Sequence, residues 1–176
     1  MLTLKAADIL NKYATGDKDL AKAQLRKANL RGVSLRGANL QGADLSYADL
    51  QDADLRDTDL SGAFLNGANL QSVNLEGANL SQAYLTRANL TGANLEMAQL
   101  HRAYLNGANL TRAKLFRANL SQACLLKANL NYADFSATNL STTDLRYAEL
   151  EEAYYNQETR FPVDFDPVEV GILNNK

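Results

Sequence analysis

Residues 36–45 read "RGANLQGADL", and the rule visible there decides the fold: a small residue, then Asn or Asp, then leucine, then two variable residues. From Leu20 to Leu150 every fifth residue is leucine except Phe135, which makes 27 centres without a slip of register. The small residue is nearly always alanine, as at Ala23, Ala28, Ala38 and Ala43. Neither regular secondary structure can use a period of five. On an α-helix, at about 100° per residue, steps of five turn each leucine roughly 140° from the last, so no face is apolar. In a straight strand an odd repeat sends successive leucines to opposite faces.

A chain that turns after every unit does fit. Alanine and leucine, two apart, point inward together, the Asn or Asp between them points outward, and the two variable residues make the corner. The exceptions count the sides. At the outward position the departures from Asn, Asp, Gln and Glu are Ser34, Phe64, Tyr84, Tyr104, Lys114 and Cys124, and four of these six are spaced by twenty. Arg36, Arg56, Glu76 and Glu96 follow the same spacing, and Phe135 precedes Tyr155 by twenty. The sequence therefore predicts a four-sided, twenty-residue coil stacked into a square rod about 30 Å long at the usual interstrand distance.

This pattern resembles that of pentapeptide repeat proteins, and the resemblance covers all 27 units. It implies an all-β solenoid, a right-handed quadrilateral β-helix of about seven four-sided coils with leucines at the axis; handedness comes from the resemblance alone. The end segments "ILNKYATGDKDL" and "TRFPVDFDP" are similar to those of cyanobacterial members. Val33, Thr58, Val73, Thr138 and Thr143 replace the small alanine, which predicts local widening or a buried hydroxyl bonded to backbone.

Three segments are expected. Residues 1–16 read as an N-terminal capping helix, with Thr3 as its cap, Leu4, Ala7, Ile9, Leu10 and Tyr13 as its apolar positions and Gly16 as its stop. Residues 17–155 form the repeat. Residues 156–176 form a C-terminal cap; Tyr154 and Tyr155 just before it, with Phe161 and Phe165 within it, are expected to lie over the last coil, and a short helix runs from Asp166 and Pro167 to Gly171. An open coil presents unpaired backbone groups and a ring of leucine, so both ends need a cover. Net charge is −2, no apolar run is long enough to span a bilayer, and the first twenty residues lack the core of a signal peptide. Cys124, the lone cysteine, has no disulfide partner in the chain, so the expected compartment is the cytoplasm.

Chemistry is sparse. His101 sits twenty residues from Ser81 and Ser121, but a nucleophilic site also needs an orienting acid and an oxyanion hole in a concavity. Asp44, Asp49, Asp54 and Asp59 precede successive centres, so their carboxylates diverge and cannot converge on a cation. The bases Arg102, Arg112, Arg117 and Lys127 fall at four different corners, which disfavours nucleic acid. No catalytic, cofactor or metal residues are expected. The candidate partner-binding strip is the column Phe64, Tyr84, Tyr104 and Cys124, whose alternative reading is a ladder that stabilises by stacking alone.

Two functions follow. The first is a non-enzymatic structural or protein-interaction rod with an unnamed protein partner, monomeric, with dimerisation through an end left open. The second, from the resemblance, is a DNA-mimicking inhibitor or protector of a type II topoisomerase, DNA gyrase. Residues 20–150 hold 13 bases and 11 acids, whereas a mimic of duplex phosphate needs a long anionic surface.

Overall fold

The computed structural model describes residues 6–174. The chain enters through α1 (Ala6–Ala14), leaves the helix at Gly16 and then winds through successive coils. Each side of a coil pairs through one residue, the one before the centre, with its counterpart twenty residues on. These parallel bridges start at Asp19 with Asn39 and continue to Asp134 with Tyr154. A side is five residues, two of which make the corner, so little extended chain remains between corners. The β-helix is therefore built of single-residue bridges, and among the described residues extended strands of two residues occur only at β1 (Tyr154–Tyr155) and β2 (Leu173–Asn174).

One repeating bond set holds the coils together. Leu25 N–H donates to Asp44 O (2.7 Å), Asp44 N–H to Ala23 O (2.9 Å) and Lys27 N–H to Ser46 O (3.0 Å). At each corner the residue three after the centre donates back to it, as Ala28 N–H does to Leu25 O (3.0 Å). The second corner residue has positive φ, as a type II turn requires. Glycine fills that position at Gly67 (φ 62°), while Lys27 (φ 58°) and Tyr47 (φ 60°) hold the same backbone without glycine's freedom.

The centre leucines and inward alanines form one continuous buried core. The threonines that replace alanine are buried with their hydroxyls satisfied, as the sequence predicts. Thr58 Oγ1 donates to Leu55 O (2.7 Å), Thr138 to Leu115 O (2.6 Å) and Thr143 to Leu120 O (2.8 Å).

At the first coil α1 buries Ile9 in the core, with Leu10 and Tyr13 packed beside it. Gly16 (φ 91°) stops the helix as expected. Asp17 N–H bonds to Lys12 O (3.1 Å) and Gly16 N–H to Tyr13 O (3.0 Å), the paired bonds of a Schellman motif. Thr3 and Leu4 lie outside the described residues.

The far end departs from expectation. Asp166 does cap, its Oδ1 accepting from Val168 N–H (2.8 Å), and Gly171 (φ 75°) does stop, but residues 167–171 form a turn and no helix. Start and stop signals so close together leave room only for two closing bonds, from Ile172 N–H to Pro167 O (3.0 Å) and from Gly171 N–H to Val168 O (3.2 Å), with no helical ladder between. The last described residues instead form β2, which pairs in parallel with β1. Tyr155, Phe161 and Phe165 pack against the core there, with Phe161 stacked on Phe165 and edge-on to Tyr155.

Candidate interaction surface

The outward Asn and Asp residues do more than face water. Each can turn its Oδ1 back to accept the N–H of the first corner residue, two positions on, a donor outside the ladder. Arg31 N–H bonds to Asn29 (3.2 Å), Gln41 to Asn39 (3.1 Å) and Thr111 to Asn109 (3.0 Å). This Asx turn explains why the position favours Asn and Asp over other polar residues. Sequence reasoning recognised the position as outward but missed the bond; the Asn and Asp bias itself was the signal. Amides also ladder between coils, as Asn69 Nδ2 does to Asp49 (2.9 Å) and Asn89 Nδ2 to Asn69 (3.2 Å).

One column gives this up. Asp44 and Asp144, on either side of the gap, make the corner bond, to Ser46 N–H (3.0 Å) and Arg146 N–H (3.2 Å). Between them stand Phe64, Tyr84, Tyr104 and Cys124, bridged in that order on successive coils, and none of their side chains supplies such an acceptor. The three rings stack. Centroids lie 5.1 Å apart for Phe64 and Tyr84 and 4.9 Å for Tyr84 and Tyr104, with planes within 10° and 5° of parallel. Ring faces are thus turned toward one another along the rod, and the surface receives ring edges and the two phenol hydroxyls. The rings are 43, 38 and 44% exposed. Cys124 is partly buried, its Sγ 3.9 Å from Asp144 Oδ2. Arg102, on the corner beside the strip, is held by Gln122, which accepts from its Nε at 2.8 Å.

The other sequence candidates resolve clearly. His101 and Ser121 do meet, with Nδ1 2.9 Å from Oγ. Ser121 Oγ, however, spends its one proton on Asn119 Oδ1 (2.7 Å). His101 Nδ1 must then be the donor, so the imidazole is not placed to take a proton from that hydroxyl. The acidic belt is tied to arginine instead of converging. Arg56 forks onto Asp54 with bonds of 2.8 and 2.7 Å, Arg36 reaches Asp57 (3.1 Å) and Arg31 reaches Asp49 (3.4 Å). The Arg56 guanidinium holds the Asp54 carboxyl below its ordinary range, and Arg146 does the same to Asp144. Among the described residues no group of three or more His, Cys, Asp or Glu could hold a metal ion. Basic residues on separate corners lie over aromatic rings: Arg26 over Tyr47 (5.0 Å), Arg112 over Tyr132 (5.4 Å) and Arg117 over Phe116 (5.0 Å). Among the described residues no helix is long and apolar enough to cross a membrane.

The sequence matches the family described as pentapeptide repeats (8 copies), in overlapping segments from residue 23 to residue 154, about three quarters of the chain. No curated protein matches it. Among solved structures it is similar to a pentapeptide repeat protein of the Arabidopsis thaliana thylakoid lumen, with 30% identity and a TM-score of 0.51 over 61% of this chain and 68% of that one. A trypsin-treated form of QnrB1, a plasmid-mediated fluoroquinolone resistance protein, has 21% identity and a TM-score of 0.75 over 90% of this chain and 77% of that one, a likeness of fold alone. HetL, a pentapeptide repeat protein involved in heterocyst differentiation regulation in the cyanobacterium Nostoc sp. strain PCC 7120, has 28% identity and a TM-score of 0.45 over 85% and 94% of the two chains.

Proposed function

The chain belongs to the pentapeptide repeat family, whose members adopt the right-handed quadrilateral β-helix, and from that premise we propose a non-enzymatic scaffold that engages a protein partner through the column of Phe64, Tyr84, Tyr104 and Cys124. One observation carries this reading. Three successive coils give up an outward amide or carboxylate that would close the corner and take an exposed ring in its place. The neighbouring column stabilises the same kind of stack with Asn69 and Asn89 while keeping its corner bonds. Stacking returns only about 0.2–1 kcal/mol per pair, so stability alone is a weak reason for the exchange. Ring edges and phenol hydroxyls on a flat face suit a protein surface that is part apolar and part hydrogen-bonding. In the same proposal residues 1–16 and 156–176 act as end caps on a repeat of residues 17–155, and the protein works in the cytoplasm.

The test is capture of partners from cell extract by the parent and by the Tyr84→Asn, Tyr104→Asn double variant. Asn is the standard residue of this position, so the variant gains the usual corner acceptor in exchange for the ring stack and is expected to fold with a similar melting temperature. Loss of a captured protein by the variant supports the strip. Retention of every captured protein by a folded variant removes it.

A further inference from the structure

The regular spacing shifts at the last coil, where β1 pairs with β2 at nineteen residues and one bridge spans twenty-one. Asn139 bridges to Arg160, twenty-one residues on, where the preceding bridges along the rod are twenty apart. The extra residue is taken up in the corner after Tyr155, and the bulge is firmly tied. Asn156 Oδ1 accepts from Ala137 N–H (2.8 Å), standing in for the carbonyl that the next coil supplies elsewhere. Glu158 N–H bonds to the same oxygen (3.1 Å), and Thr159 Oγ1 donates to Phe135 O (2.8 Å).

Beside the bulge lies a recess of about 440 Å³, lined by Arg117, Asn139, Gln157, Glu158, Thr159 and Arg160 with Ala137 between them. Ala137 occupies the same positive-φ corner position as Arg117, and its short side chain leaves the middle level of the recess open. Arg117 stands one coil above that level and Arg160 one coil below, about 10 Å apart in backbone at the usual interstrand distance, so two long side chains can converge on it. Neither guanidinium makes an ion pair with a described residue, although Glu158 lines the same recess. Arg31, Arg36, Arg56 and Arg146 are paired with aspartate, while Arg26, Arg87, Arg102 and Arg112, like these two, make no ion pair with a described residue.

We propose that this recess is an oxyanion site for a phosphate group, held between the forks of Arg117 and Arg160. Arginine's planar fork matches phosphate and carboxylate oxygens alike. The charge in the recess selects between them. Two arginines less one glutamate leave a single positive charge, which favours a dianion over a monoanion, and Glu158 sets the affinity by opposing the ligand. The site is separate from the aromatic strip and does not depend on the partner proposed there.

The experiment is an NMR titration of the full chain with inorganic phosphate and, separately, with acetate at constant ionic strength. Phosphate is expected to give saturable shifts at Ala137, Thr159 and the Arg117 and Arg160 side chains, and acetate to bind more weakly. Arg117→Gln and Arg160→Gln should each weaken phosphate roughly tenfold or more, the loss of a charge-assisted hydrogen bond. Glu158→Gln should tighten it, a direction that a merely structural role for the recess would not give. Lys127→Gln, on another corner, should leave it unchanged. Absence of saturable shifts in the parent, equal affinity for acetate, or unchanged phosphate affinity in both arginine variants would each overturn the site.

Discussion

Leu85, at mid-rod, has no exposed surface, and Ala88 on the next side has almost none. Leu85→Ala should therefore cost about 2–5 kcal/mol through the cavity it leaves, and Ala88→Leu should destabilise by about 1–3 kcal/mol through overfilling; chemical denaturation checks both. Gly67 tests the corners. A Cβ there would sit 2.7 Å from Tyr47 Cε1, on a backbone at φ +62°. Gly67→Ala should lose stability from clash and backbone together, and Tyr47→Ala in the same chain should restore the clash portion only, which thermal melts of the single and double variants resolve. Asp54 tests charge. Its folded pKa is held below the ordinary value of 3.8 by Arg56, so its contribution is full above that value and is lost as pH falls through the lowered one. Asp54→Asn keeps an oxygen for the Arg56 N–H, so the gap in melting temperature between parent and variant should be present at neutral pH and close in acid; a gap that stays constant would show that the charge contributes nothing. At this scale the inward residues were legible from spacing alone. The Asx corner was not, because periodicity reports which way a side chain points and says nothing about which donor it reaches.

The helix α1 was legible at the level of an element because Gly16 and the apolar spacing of Ile9, Leu10 and Tyr13 are local signals. The C-terminal segment was misread for an equally physical reason. Asp166 and Gly171 are genuine start and stop residues, but sequence signals of helix ends carry no information on whether a ladder fits between them. The inserted residue after Tyr155 was also hidden, since a six-residue side in sequence looks like decay of the repeat; only the bridge from Asn139 to Arg160 reveals that the coil continues. Removal of residues 1–16 takes away Ile9, Leu10 and Tyr13 and uncovers the first coil. The truncated chain is expected to associate, with a rise in mass by light scattering, while the full chain stays a single species. An unchanged mass after truncation would remove the capping role proposed for this segment.

Across the whole molecule the twenty-residue coil was legible because four outward exceptions, Phe64 to Cys124, mark one face, and the bridges join those residues as expected. Handedness was not, since no residue pattern in the repeat encodes it. Charge is mixed along the rod: the acids from Asp44 to Asp59 follow the bases Lys22 to Arg36 on the preceding coil, the next coil holds Glu76 and no base, bases resume at Arg87 and Arg102, and several of the acids are neutralised in place by Arg31, Arg36 and Arg56. Along a rod of about 30 Å such alternation recurs within one or two Debye lengths, so a duplex-like anionic field does not form. The protein is accordingly expected to leave DNA gyrase supercoiling uninhibited at micromolar concentration and to leave duplex DNA unshifted in a gel at physiological salt. Potent inhibition would replace the scaffold reading with the topoisomerase one. The bridges that build the rod also set its clock. Each hydrogen bond of the ladder reaches only the adjacent coil, about twenty residues away, so every coil closes a loop of the same length and carries nearly the same entropic barrier. Once two coils have closed, each later one adds to a finished template, and folding becomes growth from a slow nucleus instead of a collapse that must bring distant segments together. Dissolution runs the other way, from the two ends inward, which leaves amides such as that of Leu85 as the last to meet solvent.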